Sequence, residues 1–198
     1  MRKIEMIWRE LLFRSIEKRE FRFRQKDLAQ KFGFSTSTIF QALEVPRKMG
    51  SVRVTGRFFE VNDPEKILYH WASQRRLYSE LQLDLKIDLP VFEIEGLAPP
   101  SSVFSAYSAA RFILGEPPAD YSKVYIYHKD PEEIKRRFSE GKTTKEGNLY
   151  VLKPDPFLKT YGQVATIAQT FVDLWNLSDW YAKDFSKAIK EKIDELLS

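Results

Sequence analysis

No cysteine occurs in the 198 residues, which excludes disulfides, thiol nucleophiles and cysteine-ligated zinc together. Histidine is almost as scarce: His70 and His128 stand far apart in the chain, so a histidine-rich metal site is poorly supplied. No apolar run approaches the ~18–20 residues that a membrane-spanning helix needs. The start, Met1-Arg2-Lys3-Ile4-Glu5, runs straight into an amphipathic pattern without a signal-peptide core. A soluble, cytoplasmic protein without contact to membranes is therefore expected. The eight glycines are dispersed and form no phosphate-cradling loop. No cofactor, no metal and no catalytic residue is expected.

What is present is ample apolar material, 43% with 14% aromatic, enough for a packed interior. Charge is divided unevenly. Residues 1–76 hold 17 Lys/Arg against 9 Asp/Glu, and residues 77–198 hold 15 against 19. A basic segment followed by an acidic one suits a module for a polyanion joined to a module with another task. Two domains are expected, 1–76 and 77–198.

Ile4, Ile7, Trp8, Leu11, Leu12 and Ile16 recur at helical spacing. Phe21-Arg22-Phe23-Arg24 then alternates as a short strand with an aromatic and a basic face. A second helix is expected over 25–32, with Gly33 where a left-handed cap is needed. Ser35 suits an N-cap, leaving the small Thr36, Ser37 and Thr38 in the first turn of a third helix. Ile39, Ala42, Leu43, Pro46 and Met49 make its apolar stripe, and Pro46 predicts a kink or stop near Val45. Val52-Arg53-Val54-Thr55-Gly56-Arg57-Phe58-Phe59 is a hairpin pattern around a glycine.

The run Asp27-Leu28-Ala29-Gln30-Lys31-Phe32-Gly33-Phe34-Ser35-Thr36-Ser37-Thr38-Ile39 resembles the helix-turn-helix of bacterial and archaeal winged-helix regulators. The element order and the chemistry together point to double-stranded DNA. Arg22, Arg24, Lys26, Arg53 and Arg57 would meet phosphates, with Arg47 and Lys48 at the far end of the third helix. Ser35, Thr36, Ser37 and Thr38 would open that helix toward a major groove, and Ser37 and Gln41 would read base edges. A protein-binding adaptor built on a winged helix is the alternative.

In the second half, Asp63-Pro64 starts a helix whose apolar side includes Ile67, Leu68, Trp71, Tyr78 and Leu81. Leu81 to Leu89 alternates cleanly as a half-buried strand, and Val91-Phe92-Glu93-Ile94 reads as a second short run. A helix capped by Ser101 or Ser102, strands at 124–127 and 149–152, a helix from Pro131 to Phe138, and two final helices over 164–177 and 179–197 complete an α/β or α+β domain. Residues 164–175, reading Val-Ala-Thr-Ile-Ala-Gln-Thr-Phe-Val-Asp-Leu-Trp, and the helix after them are similar to the C-terminal region of AbiEi-type antitoxin regulators. That resemblance implies a transcriptional regulator that represses its own promoter, with a cognate toxin protein and a second copy of the chain as candidate partners.

Catalytic chemistry finds little support. The segment Ser102 to Asp130 has a faint nucleotidyltransferase order, but its strand carries no pair of acids on one face. Ser108 and Ser122 have no identifiable base, His70 and His128 read as packed side chains, and Asp173 is expected to cap or to pair with Lys183 or Lys187.

Overall fold

The computed structural model describes residues 1–138 and 146–198, together with the backbone of a strand at Lys142–Thr143. The fold is mixed α and β, with two small sheets among the described residues. The chain divides into two compact units, Met1–Arg75 with Ile193–Ser198, and Arg76–Lys192.

In the first unit, α1 (Lys3–Leu12) continues as a π-helical turn over Phe13–Glu17. Its stripe of Ile7, Leu11, Leu12 and Ile16 is buried, as the spacing requires. β1 (Arg22–Phe23) leads into α2 (Gln25–Phe32), which Gly33 closes at φ 61°, a left-handed conformation that glycine adopts without steric cost. α3 (Thr36–Lys48) starts at Ser35, whose hydroxyl accepts from the Thr38 N–H at 3.2 Å. β2 (Val52–Thr55) and β3 (Phe58–Val61) form a hairpin on the two-residue loop Gly56-Arg57, with Gly56 at φ 59°. β1 adds on the other side, giving an antiparallel sheet in the order β1-β3-β2. α4 (Pro64–Gln74) follows, N-capped by Asp63.

α3 continues as one helix through Pro46 and ends only at Lys48, so of the kink or stop that the sequence pattern predicts near Val45 the stop does not occur. Proline has no N–H, so the Ala42 carbonyl one turn earlier loses its helical donor. The Trp8 indole Nε1 donates to that carbonyl at 2.7 Å in a buried setting. The helix therefore keeps its polar balance through a tertiary bond. Trp8→Phe is expected to destabilise the unit by about 1–3 kcal/mol, the cost of an unpaired buried acceptor. In a Pro46→Ala background the loss should shrink, because residue 46 then supplies its own N–H. A urea-denaturation double-mutant cycle reads that coupling, and strictly additive losses would contradict it.

α4 is also shorter than its apolar pattern suggests: it stops at Gln74, and Tyr78 sits half-exposed in the 3₁₀ turn Leu77–Glu80. Arg75 is buried, its guanidinium 3.5 Å from the Glu5 carboxylate.

The second unit holds β4 (Leu81–Lys86), α5 (Val91–Leu97), β5 (Val103–Ser105), α6 (Ala106–Leu114), β6 (Val124–Tyr127), α7 (Pro131–Arg137), β7 (Lys142–Thr143), β8 (Leu149–Leu152), α8 (Ile167–Trp175) and α9 (Ala182–Leu197) as far as Lys192, the rest of α9 belonging to the first unit. The sheet order is β5-β6-β8-β4-β7. β6 and β8 run parallel and the remaining pairs antiparallel. β6 and β8 are buried along their whole length, so both faces of the sheet centre are covered. Alternation divides β6 into two chemistries. Val124 and Ile126 join Leu83, Leu85, Leu149 and Val151 in an aliphatic layer with Ile94 of α5 and Ile134 of α7. Tyr125 and Tyr127 face the other way, toward Tyr107 of α6 and Asp173 of α8.

Two further expectations are corrected here. Val91–Ile94 is the start of a helix: β4 has already ended at Lys86, Pro90 stands at the N-cap, and the adjacent Ile94 and Glu95 are both buried, which strand alternation would not give. A strand, β5, precedes α6, so Ser105 occupies the N-cap position instead of Ser101 or Ser102, and its side chain makes no capping bond.

Candidate nucleic-acid interface

The exposed side of α3 carries Thr36, Ser37, Phe40, Gln41, Glu44, Arg47 and Lys48. This follows from the buried side: Ile39, Ala42, Leu43 and Pro46 occupy the inner stripe. The four small hydroxyl residues are not equivalent. Ser35 is spent as the cap, and its hydroxyl also lies 2.8 Å from that of Ser37 and 2.9 Å from that of Thr38. Thr36 stays outside this cluster, as does Gln41 one turn further on. Arg47 stacks over the ring of Phe40 at 5.6 Å. Lys48 donates to Glu44 at 2.8 Å. That ion pair lowers the Glu44 pKa, through the hydrogen bond first and the lysine charge second. The lysine's charge is thereby partly answered within the helix.

On the outer face of the small sheet the residues form two rows. In one, Glu60 of β3 stands between Arg22 and Arg53 on the flanking strands. Arg22 takes the acid, donating from Nε at 3.0 Å and from Nη2 at 2.8 Å. In the other row, the Arg22 and Arg24 guanidinium groups lie over the Phe58 ring at 5.3 and 4.6 Å. Phe58 is thus a platform that holds two arginines, a cation–π arrangement of modest strength at an exposed site. Arg57 sits in the hairpin loop and Lys26 in the first turn of α2, both exposed. Among the described residues, Lys26, Arg53 and Arg57 make no ion pair.

Of the sequence-predicted residues, Arg22, Arg24 and Arg53 are brought together on one sheet face, and Ser35, Ser37 and Thr38 form one hydroxyl cluster. Arg47 and Lys48 share the end of α3. No hydrogen bond ties Thr36, Gln41, Lys26 or Arg57 to the others. Sequence reasoning missed the roles of Phe40, half-exposed beneath Arg47, and of Phe58. The i, i+4 spacing of Glu44 and Lys48 was a readable signal for their pairing.

Several titratable groups of the second unit are absorbed by packing. Asp173 does not meet Lys183 or Lys187. It is fully buried and accepts from the Ser105 and Tyr127 hydroxyls, each at 2.7 Å. Tyr107 donates to Asp179, which also receives Lys123. Burial, then Asp179, pushes the Tyr107 phenol well above its usual range, and burial lifts Tyr150 to about 12. In the first unit His70 packs edge-on against Trp8 at 4.9 Å, and burial, then the Arg2 charge, holds its pKa down. Among the described residues no helix is long and apolar enough to cross a membrane. Compared with known proteins, the chain matches no family model, no curated protein and no solved structure.

Proposed function

We propose that the Met1–Arg75 unit is a winged helix-turn-helix that binds double-stranded DNA, with α3 entering the major groove and the β2–β3 hairpin acting as the wing. The observation that carries this reading is the order helix, strand, helix, helix, hairpin with the strand closing the sheet as β1-β3-β2. It is coupled to an exposed, hydroxyl- and amide-bearing face at the start of α3. Thr36, Ser37 and Gln41 are the base-reading residues, glutamine being able to bond adenine through two atoms. Arg24, Lys26, Arg53 and Arg57 supply phosphate contacts, whereas Arg22 and Lys48 contribute less because Glu60 and Glu44 answer them. The chain then acts as a transcriptional regulator in the cytoplasm. The resemblance to AbiEi-type antitoxin regulators supports repression of its own promoter and a toxin protein as partner.

Arg53→Ala with Arg57→Ala is expected to weaken binding to all duplexes alike. The slope of log affinity against log salt should flatten by roughly 0.9 for each phosphate that is no longer neutralised. Fluorescence anisotropy at several salt concentrations measures it, and an unchanged slope in the folded double variant would remove the wing from the interface.

One observation favours a second reading, a protein-binding adaptor. Phe40, Val45 and Val54 expose 50%, 39% and 42% of their surface on α3 and the hairpin. The same salt titration separates the two readings, because an apolar protein contact has little salt dependence.

A further inference from the structure

A cavity of about 720 Å³ opens in the Arg76–Lys192 unit at one edge of the five-stranded sheet. Its position follows from topology. β6 and β8 are parallel neighbours, so the residues directly after each strand, His128 and Lys153, emerge at the same edge. β5 runs antiparallel to β6, which brings Ser101, just before β5, to that edge as well. The carboxyl ends of parallel strands are where α/β sheets hold ligands.

The lining combines two chemistries. Val103, Tyr127, Pro154 and Pro156 provide apolar wall, and Lys129, Lys153 and Lys159 provide exposed ammonium groups. None of these three lysines forms an ion pair among the described residues. The acids at the rim are already engaged. Asp130 accepts from the Glu132 and Glu133 N–H groups, Asp155 accepts from the Phe157 N–H at 3.1 Å, and Glu133 lies 3.5 Å from His128 Nε2. The carboxylates keep their charge, so three lysines and three acids balance along the lining; the flexible lysine stems are what let the ammonium groups turn to an incoming anion. The cations are all lysines, point charges of the kind that bind phosphoryl groups.

His128 and Ser101 complete the site. The imidazole is 2% exposed and its Nε2 lies 2.8 Å from the Ser101 hydroxyl. Asp130 presents both backbone groups to Nδ1, its carbonyl at 2.9 Å and its N–H at 3.2 Å. Either tautomer therefore has a partner. With the proton on Nε2, the ring donates to Ser101 and frees the serine O–H to donate to a ligand oxygen.

We propose that this cavity binds a small organic phosphate monoester, its phosphoryl group held by Lys129, Lys153, Lys159 and Ser101 and its body against Tyr127 and Pro154. The volume lies in the range of pockets for small organic ligands and exceeds what a bare anion fills. The site stands independently of DNA binding by the Met1–Arg75 unit.

The test is isothermal titration calorimetry of the full chain with adenosine 5′-monophosphate, glucose 6-phosphate and inorganic phosphate, against adenosine and glucose as uncharged parents. At least one phosphate monoester should bind saturably and about tenfold or more tighter than its parent, and tighter than inorganic phosphate. Lys153→Gln with Lys159→Gln should weaken that binding by about tenfold while circular dichroism stays unchanged. Ser101→Ala should weaken it by a smaller factor. Two results would overturn the assignment: phosphate monoesters binding no better than their parents up to about 5 mM, or the folded double-lysine variant binding as the parent chain does. Inorganic phosphate binding as tightly as the monoesters would reject the organic body and with it the proposal.

Discussion

Asp173→Ala is expected to destabilise the Arg76–Lys192 unit by about 3–5 kcal/mol, enough to exhaust much of a typical domain's stability. Two buried hydroxyls, Ser105 on β5 and Tyr127 on β6, donate to the same Asp173 Oδ2. Removing the carboxylate strips an acceptor from both, at about 1–3 kcal/mol for each buried donor left short of a partner, and opens a void beside α8. Asp173→Asn keeps one oxygen and should cost distinctly less. The pair of variants separates the hydrogen-bonding effect from the volume effect. Urea denaturation monitored by far-ultraviolet circular dichroism checks it, and a loss below about 1 kcal/mol for Asp173→Ala would contradict the account. α8 thus has a structural use for its acid. Asp173 ties α8 to the sheet.

Glu5→Ala should have a comparable effect on the Met1–Arg75 unit, about 3–5 kcal/mol. The Glu5 carboxylate accepts from the Trp71 indole at 3.1 Å and from Arg2 Nε at 2.6 Å, and lies 3.5 Å from the buried Arg75 guanidinium. The Arg75 side chain is 1% exposed, so taking away this counter-charge weakens the compensation of a cation held out of water. Glu5→Gln keeps an acceptor for Trp71 but not the charge. It should fall between the parent and Glu5→Ala. Should all three unfold at the same urea concentration, the buried ion pair would have no part in holding α1 to α4.

What the sequence revealed follows from how far each signal reaches along the chain. α2 is readable to the residue because its stop is a local event: Gly33 adopts φ 61° directly after Phe32. β6 and β8 are readable because four consecutive β-branched, aromatic or leucine residues suit a strand covered on both faces. Val91–Ile94 misleads because so short an apolar run has no measurable period, and only tertiary contacts, Ile94 in the aliphatic layer and Glu95 with Arg111 and Tyr121, go with a helix. β5 has three residues and follows two serines that look like a cap. Pro46 misleads for a tertiary reason, since the donor that rescues Ala42 comes from Trp8, 34 residues away.

The candidate interface shows the same division. The capping role of Ser35 and the outward face of α3 are local and legible, because Ile39, Ala42, Leu43 and Pro46 define the inner stripe. The electrostatics of the sheet face are not. Arg22 meets Glu60 38 residues later, and Phe58 beneath two arginines depends on the β1–β3 register. Counting basic residues overstates the charge available there, since Arg22 and Lys48 already face acids. The Ser101–His128 contact spans 27 residues and two strand ends, with no motif to announce it.

The central claim is that α3 reads a DNA sequence. Its most direct measurement is selection of bound duplexes from a random library by the full chain, followed by anisotropy on the enriched duplex and on an unrelated one. The account predicts a single enriched motif. It also predicts that Gln41→Ala costs about 1–3 kcal/mol on that motif and little on unrelated DNA. No enrichment, or equal losses on both duplexes, would contradict it.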